Sequence, residues 1–185
     1  MRRLSGPGFQ RLSRSLARFS GRLTGRPRAV HYFHQVDDPY SHLAVQKLDE
    51  LAGAYTVPFV PHLVSKPAPD LLGSAEHFDA WALRDALSIA HGYGATFPSD
   101  PRPPTPGSIA QANVLLAASL PHADFAGRAQ AVGEDLWRGR IAAEAGDAAA
   151  ALPEAIEAGN SLRRRFGHYQ GGMFHYEGEW YWGVD

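Results

Sequence analysis

The stretch "AVHYFHQVDDPYSHLA", residues 29–44, contains the signals that decide the fold. Its first eight residues are mainly β-branched and aromatic, which predicts a strand that ends in a turn at residues 37–39. Asp38 and Pro39 then predict a helix start, because aspartate caps free backbone N–H groups and proline fits the first helical position. We expect this helix to run to about Ala54 and to bury three leucines: Leu43, Leu48 and Leu51.

A second strand is predicted in "YTVPFVPHLV", residues 55–64. Pro58 and Pro61 limit its pairing, because proline has no backbone N–H to donate. The order of strand, helix and strand predicts a parallel pair of strands joined by a right-handed crossover.

The pattern becomes helical between residues 75 and 167. Apolar residues there recur at helical spacing on either side of a proline-rich loop at 97–107, and three helices are predicted after that loop. Their expected ranges are 108–119, 122–139 and 153–166. The final stretch "GGMFHYEGEWYWGVD", residues 171–185, returns to strand character, with Glu177 and Gly178 as the tight turn of a hairpin.

Neither group of strands makes a complete sheet alone. We therefore expect an α/β fold of the thioredoxin-like kind: one four-stranded mixed sheet built from the first two strands and the late hairpin. Residues 29–185 would form this domain, with 70–167 as a helical insertion.

The composition is that of one globular domain without thiol chemistry of its own. The chain has 185 residues, of which 44% are hydrophobic and 20% charged, and it has no cysteine. A disulfide framework, a thiolate zinc cluster and a cysteine nucleophile are therefore excluded.

Charge is divided unevenly along the chain. Residues 1–30 carry eight arginines and no acidic residue, a net charge of +8, while the remainder has a net charge of −9. Within the basic N-terminal extension, residues 1–28, apolar residues recur at helical spacing between arginines: Leu12, Leu16, Phe19 and Leu23. Three roles stay open for it: a targeting presequence, a helix on an anionic membrane or acidic partner, and an extension that folds back on the acidic body. We expect it to be dispensable for folding.

Two motifs carry a resemblance to a known family. Asp38-Pro39-Tyr40-Ser41 and Gly183-Val184-Asp185 resemble motifs of the DsbA-like thioredoxin superfamily, nearest to the 2-hydroxychromene-2-carboxylate isomerases and kappa-class glutathione transferases. Those proteins are thioredoxin folds with a helical insertion, and they carry Ser-Pro-Tyr-Ser at the first motif. The resemblance extends over about residues 30–185.

The sequence departs from that family at three places. Asp38 stands where the family has the serine that meets the glutathione sulfur, and an ionised carboxylate repels a thiolate where a hydroxyl would donate to it. Met173 stands where the family has a cis-proline. The sequence ends at Asp185, where the family continues into a helix that covers the sheet, so we expect a shortened chain or a fragment.

The resemblance implies a set of site residues. Asp38, Tyr40 and Ser41 would be catalytic at the start of the first helix, where that helix favours anionic groups. Gly172, Met173 and Asp185 would bind glutathione: the first two through the backbone at its cysteinyl part, the last at its γ-glutamyl ammonium. The leading hypothesis is a glutathione-dependent isomerase or transferase that adds the thiolate to an aromatic-derived substrate, with His34 or Tyr40 moving protons.

Two alternatives of other classes stay open. One is a non-catalytic thioredoxin-fold binding or scaffold module, and the other is a disulfide oxidoreductase relative without redox activity of its own. A metal site at His34, Asp38 and His42 has no compact ligand motif behind it, so no metal is expected. The acidic body argues against nucleic acid. We expect a cytoplasmic protein, with a homodimer considered beside a monomer.

Overall fold

The computed structural model describes residues 28–72, 74–120, 124–142 and 152–184. Within these residues four strands form one sheet in the order β2-β1-β3-β4. The strands are β1 (Val30–His34), β2 (Phe59–Leu63), β3 (Met173–Tyr176) and β4 (Glu179–Trp182). The expected fold class, an α/β fold with a four-stranded mixed sheet, is confirmed.

The central strand β1 joins the two halves of the sheet. β1 pairs with β2 in parallel, with His34 opposite Leu63, and with β3 in antiparallel, with Phe33 opposite Met173. The hairpin from β3 to β4 turns at Glu177 and Gly178, which both have positive φ values, 47° and 85°. Such a two-residue turn matches the twist of paired strands. The late hairpin therefore completes the sheet that the early strands begin, as the sequence predicts.

Seven α-helices are seen in the described residues, and a 3₁₀ turn at Ala90–Tyr93 follows the fourth. They are α1 (Pro39–Val45), α2 (Leu48–Ala54), α3 (Pro69–Leu72), α4 (Ala75–Ile89), α5 (Pro106–Ala117), α6 (Phe125–Trp137) and α7 (Leu152–Arg165). The helical character of the region between β2 and β3 is confirmed. Whether that region is a separate insertion stays a prediction.

The prediction of one helix from Pro39 to Ala54 is wrong. The chain turns at Gln46 and Lys47 between α1 and α2. The turn lies where the Gln46 side chain accepts from Thr96 N at 2.8 Å and donates to Thr96 O at 2.8 Å. The helix thus breaks at a residue that is hydrogen-bonded to Thr96, fifty residues later in the sequence.

The helices fix the start of α1 from two sides. One buried cluster joins the sheet to α5 and α6 through residues that include Tyr32, Leu63, Leu116 and Leu136. A second cluster packs Tyr40 and Leu43 of α1 against alanines of α4. Because α1 lies between these clusters, its first turn has little freedom to move.

Of the residues described, no helix is long and apolar enough to cross a membrane. The basic extension lies outside them apart from Arg28, which pairs with Glu177 at 3.0 Å. The proposed roles of that extension stay predictions.

Candidate functional site

Asp38 caps α1, as the sequence predicts. Its backbone is extended, and its carboxylate accepts the backbone N–H of Ser41 at 2.8 Å, while Pro39 takes the first helical position. α1 has only seven residues. Any preference of its N-terminus for a negative charge therefore comes from the free N–H groups of the first turn.

Ser41 binds the same carboxylate oxygen a second time. Its hydroxyl donates to Asp38 Oδ2 at 2.8 Å and accepts the backbone N–H of Gln35 at 3.1 Å. A hydroxyl has one proton to give. The proton that would stabilise an external thiolate is therefore already used by Asp38.

The glycine pair before β3 comes close to this cap. A Cβ at Gly172, whose φ is +62°, would lie 2.9 Å from Asp38 Oδ2 and 3.1 Å from Ser41 N. A Cβ at Gly171 would lie 2.4 Å from the Cβ of Gln35. The site is thus closed by a backbone approach that only glycine allows.

Two of the residues expected to bind glutathione, Gly172 and Met173, have neighbours within the fold. The Gly172 carbonyl accepts the N–H of Gly183 at 2.8 Å. Met173 is the first residue of β3 and lies opposite Phe33 of β1 on one side and Trp182 of β4 on the other. Asp185, the third expected ligand residue, lies outside the described residues.

Tyr40 forms a wall of the site. It is 6% exposed, and its hydroxyl donates to Asp85 Oδ2 of α4 at 2.6 Å. Its ring meets the Trp182 ring edge-on, with centroids 5.2 Å apart. Its phenol proton is therefore held by a carboxylate rather than directed at a bound molecule.

The space between these groups is a small crevice, with room of about 20 Å³. That is enough for about one water molecule. Three carboxylates line it, those of Asp37, Asp38 and Asp79, and Lys66 forms an ion pair with Asp79. Aromatic and other polar walls are supplied by Tyr40, Phe78, Trp182, Gln35 and Gln170.

Sequence reasoning missed several of these residues. Lys66 had a signal, since it follows β2 and the carboxyl ends of parallel strands meet at one edge of a sheet. Asp79 and Asp85 had none, because only the packing of α4 brings Asp79 to the crevice and Asp85 to the hydroxyl of Tyr40.

Burial raises the pKa of the Asp38 carboxyl to about 6, against the Ser41 hydrogen bonds, which lower it. Burial also raises the pKa of Asp37. At neutral pH Asp38 is mostly ionised, and the crevice carries more negative than positive charge.

His34 and His42 turn away from the crevice into the core. The hydroxyl of Tyr32 gives its proton to Ser41 O at 2.9 Å, so His34 Nδ1, 2.9 Å from that hydroxyl, must be the donor to it. His42 packs edge-on against Phe97, and burial lowers its pKa to about 4. In the part of the chain that the structure describes, no group of three or more His, Cys, Asp or Glu residues is placed to hold a metal ion.

The structure thus brings together Asp38, Tyr40, Ser41 and Gly172, and sets Met173 next to them in the sheet. It offers His34 no access to the crevice, which removes the basis for its expected proton transfer. The functional roles given to the other residues stay predictions.

Comparison with known proteins gives matches in structure alone. No protein-family model matches the chain, and no curated protein sequence matches it. A solved 2-hydroxychromene-2-carboxylate isomerase superposes with a TM-score of 0.58 at 18% identity, covering 85% of this chain and 89% of that one. The cytosolic disulfide reductase DsbM from Pseudomonas aeruginosa superposes with a TM-score of 0.54 at 16% identity, covering 83% of this chain and 87% of that one.

Both matches extend over most of each chain. Identities this low establish the architecture and leave the activity open. The predicted thioredoxin-like fold is thus confirmed, since this chain shares the fold of both solved proteins.

Proposed function

We propose that this chain is a non-catalytic thioredoxin-fold binding module, in which an internal carboxylate takes the place of a bound thiolate. One observation carries the proposal: Asp38 Oδ2 accepts both the N–H and the O–H of Ser41, each at 2.8 Å. These are the donors that a thiolate at the start of α1 would need.

Charge supports the same conclusion. A thiolate entering at neutral pH would meet the ionised carboxylate of Asp38 and the carboxyl of Asp37 beside it. The one lysine of the crevice lining, Lys66, is already paired with Asp79. Like charges in a poorly solvated site repel strongly, so the crevice disfavours an anionic sulfur.

Space supports it as well. A tripeptide thiol needs far more room than the 20 Å³ found between the walls. Gly172 and Trp182 would have to move away from α1 to admit it, and both belong to or adjoin the paired strands of the sheet.

A second candidate is the glutathione-dependent isomerase or transferase. It is favoured by the fold shared with the solved isomerase and by the raised pKa of Asp38, about 6. Near that pH a protonated Asp38 would donate a hydrogen bond to the thiolate, and the thiolate would add to an unsaturated, aromatic-derived substrate. In this hypothesis Tyr40 and Ser41 hold Asp38 and the substrate, while Gly172, Met173 and Asp185 bind glutathione.

Calorimetric titration with glutathione at pH 7.5 separates the two candidates. The binding module gives no binding heat with the natural chain. Asp38→Ser keeps a capping oxygen, removes the charge and frees a hydroxyl donor, so this variant should gain binding if the site is otherwise intact. Asp37→Ser is the matched control, because it removes one charge from the same crevice and leaves the Asp38–Ser41 contacts in place.

Two results would favour the enzyme instead. One is glutathione binding by the natural chain that strengthens as the pH falls towards 6. The other is binding that is equal in or weakened by Asp38→Ser, which would show that Asp38 is not an obstacle to the thiol. A disulfide oxidoreductase would need a cysteine from elsewhere, since this chain has none. A cytoplasmic location, a homodimer and membrane contact by the extension stay predictions.

A further inference from the structure

A groove of about 650 Å³ lies at the opposite end of β1 from the Asp38 crevice. Its floor is one face of the sheet, and each of the four strands contributes a side chain to it: Val30, Phe59, Phe174 and Tyr181. Val30 lies opposite Phe59, and Phe174 lies opposite Tyr181 and Tyr32. Because opposite residues, and residues two apart in one strand, point to the same face, the floor is a continuous apolar surface.

The facing wall comes from α2 and from the 3₁₀ turn that follows α4. Leu51 lies in α2, Tyr55 follows its last residue, and Tyr93 ends the 3₁₀ turn. Tyr55 is 60% exposed and Tyr93 40%. Small-molecule sites usually have volumes of roughly 300–1,000 Å³, so the space between this wall and the sheet is of the size that such a ligand needs.

The floor is held in place by contacts within the protein. The Phe174 ring stacks on the Tyr32 ring, with centroids 4.7 Å apart, and meets the Phe59 ring edge-on, with centroids 6.4 Å apart. The Tyr181 hydroxyl donates to Glu179 Oε2 at 2.8 Å. These rings are therefore positioned before a ligand enters, which reduces the ordering that binding requires.

The charged groups of the groove are paired with each other. Lys47 and Glu50 are the two charged residues of its lining in the described part of the chain, and they form an ion pair at 3.3 Å. A charged ligand would lose its water here without gaining a free counter-ion, which is costly. The lining therefore favours an uncharged ligand, whereas the crevice at Asp38 has three carboxylates and one lysine.

Aromatic side chains indicate the class of ligand. Six of them line the groove in the described part of the chain, and four of the six are tyrosines: Tyr55, Phe59, Tyr93, Phe174, Tyr176 and Tyr181. Aromatic rings bind other rings by offset stacking and by edge-to-face contact. A tyrosine hydroxyl can also donate a hydrogen bond to a polar group of the ligand or accept one from it.

We propose that this groove binds an uncharged aromatic small molecule, with its rings against the sheet floor and a polar group at the tyrosine hydroxyls. Contiguous exposed apolar surface on a soluble domain commonly marks such a site. The site is independent of the proposed function, because the linings of the groove and the crevice share no residue.

N-phenyl-1-naphthylamine is a suitable probe, because it is uncharged and aromatic and its fluorescence rises in apolar surroundings. Titration of the full chain at pH 7.5 should show saturable binding of one probe per chain. Tyr55→Ser removes one ring of the facing wall and should weaken binding about ten-fold, while Tyr55→Phe keeps the ring and should bind the probe nearly as well. Because Tyr55 is 60% exposed, neither change disturbs the core.

Tyr169→Ser is the matched control. Tyr169 is 39% exposed and lies outside the groove lining, so its loss should leave probe binding unchanged. Absence of saturable binding would overturn the proposal, and so would equal binding by Tyr55→Ser and the natural chain.

Competition tests the charge of the ligand. The neutral 1-naphthylmethanol should displace the probe at lower concentration than the anionic 1-naphthoate, since the Lys47–Glu50 pair leaves no free cation in the lining. Stronger displacement by 1-naphthoate would contradict the proposed class of ligand. Probe binding that weakens as the protein concentration rises would assign the groove to a second copy of the chain, and would overturn the proposal too.

Discussion

The crevice at Asp38 differs in chemistry and in size from the groove at the other end of β1, which is lined by Val30, Phe59, Phe174 and Tyr181. The crevice is polar and nearly full: its donors are matched to internal acceptors, and its free space of about 20 Å³ holds little more than water. The groove is apolar, exposed and about 650 Å³ in volume. A nearly filled polar crevice thus lies at one end of β1, and an apolar groove lies at the other.

Under the proposed function, this difference depends on one acidic residue at the start of α1. The cap of α1 needs an oxygen, and both serine and aspartate provide one. Aspartate brings a charge as well, which attracts the neighbouring hydroxyl and repels an anion. Asp38 thus keeps the capping role, and the proposed function expects its charge to disfavour a thiolate at neutral pH.

Acid should destabilise the fold chiefly through its buried histidines. Burial lowers the pKa of His34 to about 3 and of His42, His62 and His175 to about 4. The unfolded chain therefore binds more protons below pH 6.5, and the free energy of unfolding falls as the pH drops from about 6.5 towards 4. Each histidine contributes up to about 1.4 kcal/mol per pH unit in that window.

Asp38 acts in the opposite direction. Because its folded pKa is raised to about 6, its protonation recovers some stability between about pH 6 and 4, and the raised pKa of Asp37 acts in the same direction. Urea unfolding at pH 7, 6 and 5 measures the net slope. We expect His62→Gln to make the slope shallower, because burial lowers the pKa of His62; stability that is flat or rises towards pH 5 would contradict this account.

Substituting alanine for one glycine near the crevice, Gly172, and for one in the groove, Gly183, compares how tightly the two regions are packed. Gly172 and Gly183 both have positive φ, +62° and +57°, but only Gly172 is crowded, while nothing lies within 4 Å of a Cβ at Gly183. Both variants strain the left-handed backbone, and Gly172→Ala also pushes against Asp38 and Ser41. We expect a loss of roughly 2–4 kcal/mol for Gly172→Ala and roughly 1–2 for Gly183→Ala in urea unfolding. Equal losses would mean that the crevice is no tighter than the groove.

Removing the Ser41 hydroxyl tests the internal pairing. Ser41→Ala leaves the backbone N–H of Gln35 without its acceptor and Asp38 with one donor fewer, which should cost roughly 1–3 kcal/mol at pH 7.5. Asp38→Ala should cost about 1 kcal/mol, because the loss of the cap is partly offset by removal of a buried charge. The double variant should cost less than the two losses added, and strict additivity would show that the two side chains do not act as a pair.

The sequence was informative where the signals are local. The strand before Asp38, the cap itself and the turn at Glu177 and Gly178 each follow from a few adjacent residues whose backbone preferences agree. The shared sheet followed from counting strands, since neither half could bury its apolar face alone.

What could not be predicted depends on distant contacts. The break after α1 lies where Gln46 meets Thr96, and Tyr40 gives its proton to Asp85, 45 residues away. The use of the Ser41 hydroxyl by Asp38 was within reach of the sequence, because residues three apart in a first helical turn are neighbours. The close approach of Gly172 to Asp38 and Ser41 could not be predicted from the sequence, because it depends on the pairing of the whole sheet.

The most direct test of this account is the pKa of Asp38, whose carboxylate accepts two hydrogen bonds from Ser41. Carbon-13 NMR follows its side-chain carboxyl against pH. We predict a pKa of about 6 in the natural chain, and a higher pKa in Ser41→Ala, because the Ser41 hydrogen bond lowers it. A carboxyl that titrates near the ordinary value of 3.8, unchanged by Ser41→Ala, would show that Asp38 is solvated and unpaired, and the crevice would be open to a thiol after all.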